Sequence, residues 1–276
     1  MFEIFTSADA WVALLTLTFL EIVLGIDNIV FISIAADKLP EEQKRKATNW
    51  GLILAMVQRI VLLMGVSFLV GLKEPFYTIE SSWFEMGVSW QALILFFGGL
   101  FLLYKSTSEI HEKLDMPQHD EKVLKAKKIT SLRRAIVQIV IIDFIFSIDS
   151  ILTAVGMTSG IGKSQNDALI LMVIAVVVSI LVMMLFANPI REFINKHPSM
   201  QLLAMSFLIL IGFMLITEAA HLSHTVVFGQ SVGAIPKGYL YFAIAFSLLV
   251  EFLNMKLRKQ INATDEKSLN GKVDNT

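Results

Sequence analysis

Glu21-Ile22-Val23-Leu24-Gly25-Ile26-Asp27-Asn28 places two carboxylates and an amide inside an apolar run that extends from Ala10 to Ala36. A helix needs about 20 apolar residues to cross the hydrocarbon of a bilayer, so this run is long enough to span one. An ionisable group at the centre of such a helix costs about 2.5–3.5 kcal/mol on insertion scales, and groups of this kind mark functional sites. The stretch recurs as Asp143-Phe144-Ile145-Phe146-Ser147-Ile148-Asp149-Ser150, with the same spacing of acid, hydrophobe and acid in a second apolar run. Two copies of a costly arrangement point to a duplicated functional element.

Composition agrees. Of 276 residues, 55% are hydrophobic and 17% charged, and the mean hydropathy is +0.67. Soluble domains carry about 25% charged residues, so an integral membrane protein is expected. No basic stretch precedes the first apolar run, which is therefore read as a retained helix and not a signal peptide. The chain has no cysteine. Disulfides, thiolate zinc sites and iron–sulfur clusters are excluded, which leaves oxygen and imidazole as metal ligands. Gly160-Ile161-Gly162-Lys163 lacks the flanks of a phosphate-cradling loop, and no nucleophile–base set is visible. Neither an enzyme nor a nucleic-acid partner is expected. The 13 methionines are scattered through apolar segments and read as packing.

Seven apolar segments emerge, at about 10–36, 50–71, 89–108, 133–157, 167–188, 201–219 and 238–257. Basic residues concentrate in alternate loops: Lys38, Lys44, Arg45 and Lys46, then Lys113 to Arg134, then Arg191 and Lys196, then Lys256, Arg258 and Lys259. The other loops hold only Lys73, Lys163 and Lys237. The positive-inside rule then sets the N-terminus outside and the C-terminus in the cytoplasm. Segments one to three resemble segments four to six in order. Gly99-Leu100-Phe101 in the third is echoed by Gly212-Phe213-Met214 in the sixth. The expected architecture is all-α: one transmembrane domain over 1–260, built from inverted repeats at about 10–108 and 133–219 plus a seventh helix at 238–257. A cytoplasmic loop spans 109–131, and a polar tail at 261–276 is expected to be disordered. Inverted repeats with a site at their interface are a recurrent transporter plan. Gly25 and Ser147 sit at equivalent places where a helix could unwind to offer carbonyls.

At 1.5 Å rise per residue, Glu21 lies about 3 Å outside the midplane and Asp27 about 6 Å inside it. Segment four runs the other way, so Glu21 should face Asp149 and Asp27 should face Asp143, with Asn28 and Ser150 beside them. Clustered carboxylates in hydrocarbon must bind cations, hold protons or pair with a base. This all-oxygen set suits hard cations such as Mn²⁺, Mg²⁺ or Ca²⁺. Arg59, in segment two, stays charged and needs an acid, either as a counter-ion of the empty site or as a fixed structural pair. Glu218 and Glu251, near helix ends, are candidates for a second site or a proton relay. Glu218, His221 and His224 have ligand-like spacing near the outer face.

The two acidic motifs, with Gly98-Gly99-Leu100-Phe101-Leu102, Lys105, Glu109-Ile110-His111-Glu112 and the final Phe246-Ser247-x-x-Val250-Glu251-x-x-Asn254, resemble the TerC family of integral membrane proteins, in its compact form without CBS domains. The resemblance covers about Ala10 to Lys259. It implies a place in the wider LysE-like transporter group, a bacterial inner-membrane location, a phenotypic link to tellurium resistance and, for several members, Mn²⁺ export or metal supply to secreted proteins. The leading expectation is a manganese exporter, with Ca²⁺ as an alternative cargo and protons as the coupling ion. The competing readings are an exporter of a small organic solute of amino-acid type and a non-transporting membrane partner in secretion or metal loading.

Overall fold

The computed structural model describes residues 5, 7–37, 39–81, 83–115, 131–158 and 165–273, and the side chains at 24, 26, 27, 30, 37, 165, 166, 259 and 261–273 lie outside that description. The chain is predominantly helical: α1 (Ala8–Asp37), α2 (Glu41–Met64), α3 (Val66–Gly71), α4 (Trp90–Leu114), α5 (Leu132–Thr158), α6 (Gln165–Lys196), α7 (Pro198–Leu222) and α8 (Lys237–Val273). Six of these are long and apolar enough to cross a membrane among the described residues: α2, α4, α5, α6, α7 and the first part of α8, to Arg258. α1, the helix of the first acidic motif, is 30 residues long. The chain divides into two compact units, Met1–Ala234 and Ile235–Thr276.

Local chemistry explains the helix starts. Ser89 caps α4, its Oγ accepting from the Ala92 N–H at 3.2 Å. Pro198 opens α7 at a position where its missing N–H costs nothing. Glu41 and Glu42 sit in the first turn of α2, where the helix dipole favours acids. One helix continues past its expected end. The fifth segment is expected to end at about 188, yet α6 runs through Pro189 to Lys196. Proline removes one backbone bond, and apolar membrane helices absorb that loss through neighbouring groups.

Within the first unit the most extensive packing is α4 on α7, followed by α1 on α6 and α2 on α5. The α4–α7 crossing is set by Gly99 and Gly212. A Cβ added to Gly99 would lie 2.6 Å from the Gly212 carbonyl oxygen, and one added to Gly212 would lie 2.9 Å from the Gly99 carbonyl oxygen. Two backbones are thus in near contact, the small-residue packing on which membrane helices rely. Lys113 of α4 donates to Gln201 at the start of α7, so the pair is antiparallel. Large apolar side chains such as Leu15 and Phe19 on α1, Phe97 on α4 and Leu185 on α6 are exposed. An outward apolar surface of that extent is what a lipid-facing protein presents.

Three expectations are corrected here. The chain is not purely helical: β1 (Pro75–Glu80), β2 (Phe84–Ser89), β3 (Val226–Val227) and β4 (Gln230–Ser231) form an antiparallel sheet in that order. Its β3–β4 turn is Phe228-Gly229, both at positive φ, as a two-residue I′ hairpin requires. The polar tail does not lose structure at 261, because α8 continues to Val273, over a run with helix formers such as Ala263, Glu266 and Lys267. Neither acidic motif interrupts its helix, since α1 and α5 run unbroken through Gly25 and Ser147. Of the loop expected at 109–131, residues up to Leu114 extend α4, and 116–130 lie outside the described residues.

The near-contact at Gly99 and Gly212 generates a prediction. Gly99→Leu or Gly212→Leu should destabilise the protein by about 1–3 kcal/mol or more through overpacking, read as a lower unfolding temperature in detergent. Gly71→Ala, where an added Cβ meets nothing within 4 Å, should leave that temperature unchanged.

Candidate functional site: a buried arginine shared by two carboxylates

An α-helix turns about 100° per residue, so residues seven apart share a face and residues six apart lie about 120° away. Glu21, Gly25 and Asn28 therefore line one face of α1, and Asp143, Ser147 and Ser150 the matching face of α5. In the folded chain these two faces meet. Glu21, Asn28, Asp143, Ser147 and Ser150 are all buried, and the Asn28 Nδ2 donates to Asp143 Oδ1 at 3.1 Å.

Arg59, five residues before the end of α2, closes the arrangement. It is 2% exposed. Its Nη2 donates to Asp143 Oδ1 at 2.6 Å and its Nε to Asp143 Oδ2 at 3.2 Å, a forked grip on one carboxylate. Its Nη1 donates to Glu21. Ser147 Oγ donates to Asp143 Oδ2 at 3.0 Å, and Ser150 Oγ donates to its own helix at the Ser147 carbonyl, 3.3 Å away. One cation thus joins one acid from each acidic motif. Among the described residues the Asn28 Oδ1 is buried without a donor, an unmet acceptor beside a charged cluster.

Gly25 contributes space. A Cβ there would collide with the thioether of Met183, a buried residue of α6. The glycine admits the α6 side chain against α1 and does not serve as a break in the helix.

The expected pairing is revised by this geometry. Asn28 lies level with Asp143, as the depth estimate required, but Glu21 is brought to Asp143 through Arg59 where Asp149 was the expected partner. Asp149 sits about 120° around α5 from Asp143 and is only half-buried. The Asp27 side chain lies outside the described residues. Among the described residues no group of three or more His, Asp or Glu side chains is placed to hold a metal ion. The two carboxylates found together are held instead by a guanidinium. Glu218 lies near the end of α7, half-buried, and Glu251 belongs to α8 in the second unit. Sequence reasoning singled out Arg59 without its partners. The seven-residue spacing in both motifs was the available signal for the shared face.

Removing one partner from a buried ion pair costs about 3–5 kcal/mol, because the remaining charge is stranded. Arg59→Met should therefore lower the unfolding temperature in detergent substantially. Adding Glu21→Gln and Asp143→Asn to that variant should recover most of the loss. A single Arg59→Met that melts like the wild type would contradict the bridging role.

Comparison with known proteins places this geometry in context. The profile of the integral membrane protein TerC family matches residues 6–266. The chain is 44% identical to the UPF0053 inner membrane protein YgdQ of Escherichia coli over 260 residues, 94% of this chain and 98% of that protein. It is 41% identical to a UPF0053 protein of Haemophilus influenzae over 259 residues, 94% of this chain and 99% of the other. Against the UPF0053 inner membrane protein YoaE of Escherichia coli, identity is 42% over 93% of this chain but only 45% of the longer relative. No solved structure matches. The chain belongs to the TerC family of integral membrane proteins.

Proposed function

We propose that this protein is a seven-helix transporter that exports a divalent metal cation, Mn²⁺ first and Ca²⁺ second, and that Arg59 occupies the cation's place in the cation-free state. The observation that carries this reading is the buried Arg59 held between Glu21 and Asp143. A guanidinium with two carboxylates leaves one negative charge in excess, which a proton on either acid would complete. A divalent cation would neutralise both acids by itself. Its entry would then release that proton and displace Arg59, whose charge stays in the protein and would pass to another acid such as Asp149, so that one proton leaves for each divalent ion. Asn28 Oδ1 and the hydroxyls of Ser147 and Ser150 would add neutral oxygens of the kind hard cations accept. Asp27 and Asp149 would serve as further ligands or proton carriers, and Glu218 and Glu251 as a relay toward the two faces.

The transporter plan adds α1 as the seventh span and pairs α1, α2 and α4 with α5, α6 and α7 as inverted repeats. Two observations support it. Exchanging the halves turns the α1–α6 contact into the α5–α2 contact, and both are among the largest interfaces. The α4–α7 crossing falls at Gly99 and Gly212, the equivalent positions of the two copies. The orientation, with the N-terminus outside, rests on the basic loops, and the export direction and the choice of Mn²⁺ rest on the family resemblance. An amino-acid exporter would need Arg59 for the solute's carboxylate, whereas two protein carboxylates already claim it.

Inside-out membrane vesicles carrying the protein should accumulate labelled Mn²⁺ when a proton gradient is imposed, and should not accumulate labelled amino acids. Asp143→Asn and Glu21→Gln should each cut the rate by more than about tenfold, the lower bound for losing a group that supports a metal site. Amino-acid uptake would favour the organic-solute reading. Purified protein that moves no ion in liposomes would favour the non-transporting one.

A further inference from the structure

We propose that the groove between α4 and α5 binds the headgroup of an anionic phospholipid from the surrounding bilayer, with an acyl chain laid along its apolar end. The groove has a volume of about 660 Å³. Its walls are graded. Lys105, Arg133 and Arg134 stand at one end, and Phe101, Val137 and Ile141 at the other. The grading follows from helix geometry: Arg133, Val137 and Ile141 are spaced four apart on α5, as are Phe101 and Lys105 on the antiparallel α4. At 1.5 Å per residue, Arg133 to Ile141 covers roughly 12 Å, enough to pass from headgroup level into hydrocarbon.

Charge and exposure both fit a lipid. Lys105 is already engaged by Glu109 at 2.6 Å, but among the described residues neither Arg133 nor Arg134 has an acidic partner. Two adjacent guanidinium groups at the start of a membrane helix are a poor arrangement for a closed interface and a good one for phosphate, which arginine grips through two parallel bonds. Phe101, Val137 and Ile141 are 37%, 47% and 49% exposed, so the apolar end opens outward where acyl chains lie. A soluble phosphate would use only the cationic end and leave that apolar end unexplained. Basic pockets between membrane helices at the cytoplasmic side hold anionic headgroups in this way. The site is separate from the Arg59 cluster and stands whether or not the protein transports cations.

The full-length protein in nanodiscs, analysed by native mass spectrometry, tests the proposal with phosphatidylglycerol as the probe. The wild type should retain phosphatidylglycerol in preference to phosphatidylcholine. Arg133→Gln with Arg134→Gln should weaken that retention roughly thirtyfold, from two surface cations at bilayer potential. Arg133→Lys with Arg134→Lys, which keeps the charge and loses the fork, should fall between the wild type and the glutamine variant, and neutralising Lys125, Lys127 and Lys128 should leave retention intact. Phosphatidylglycerol carrying a photoactivatable acyl chain should label Val137 or Ile141 in the wild type, which decides the matter even if the glutamine variant fails to fold. Equal retention of the two lipids, displacement by glycerol phosphate alone, dependence on the loop lysines, or labelling away from α4 and α5 would each overturn it.

Discussion

A guanidinium cannot shed its charge inside a membrane protein, and Arg59 is buried in the C-terminal part of α2. Everything around it answers that constraint. Asp143 meets it with both carboxylate oxygens, Glu21 takes the remaining arm, and Asn28 and Ser147 steady Asp143 from the side. Because the two acids come from α1 and α5, the ion cluster ties the consecutive helices α1 and α2 to α5, 84 residues further along the chain from Arg59 to Asp143. A buried salt bridge is a weak source of stability, since desolvation offsets attraction. Under the proposed exchange the cluster is instead a device that opens when the cation enters.

The packing outside the cluster suits such a device. The glycine crossing of α4 and α7 brings backbone against backbone and is rigid by construction. α1, by contrast, meets α6 through a methionine side chain at Gly25, and methionine adapts readily to small shifts. Under the proposed exchange, α1 would shift against α6 at that methionine while the glycine-locked pair stays in place. The sheet that links the loops after α3 and α7 adds a second fixed element at one face of the first unit.

Much of this was legible in the sequence. Six membrane-length helices followed from apolar runs, and the acids stood out because hydrocarbon makes them costly. Depth along the helix was also readable, as the meeting of Asn28 with Asp143 shows. Rotation was the harder quantity. Pairing Glu21 with Asp149 considered height alone, while the 100° step of the helix puts Asn28 and Ser150 on the acid's face and carries Asp149 to another. The strands were hidden for a different reason. Pro75 to Glu80 is exposed along its whole length, so no burial alternation betrays it, and β3 and β4 are two residues each.

The central claim is that Arg59 stands in for the transported cation, and cation affinity tests it most directly. Mn²⁺ titrated calorimetrically into the purified wild type and into Arg59→Gln at one pH gives a signed answer. If the arginine competes with the ion, its removal tightens Mn²⁺ binding even as the apo protein becomes less stable. Affinity that stays the same, or falls, would mean that Arg59 is a fixed structural tie and that the cation, if one is carried, binds elsewhere.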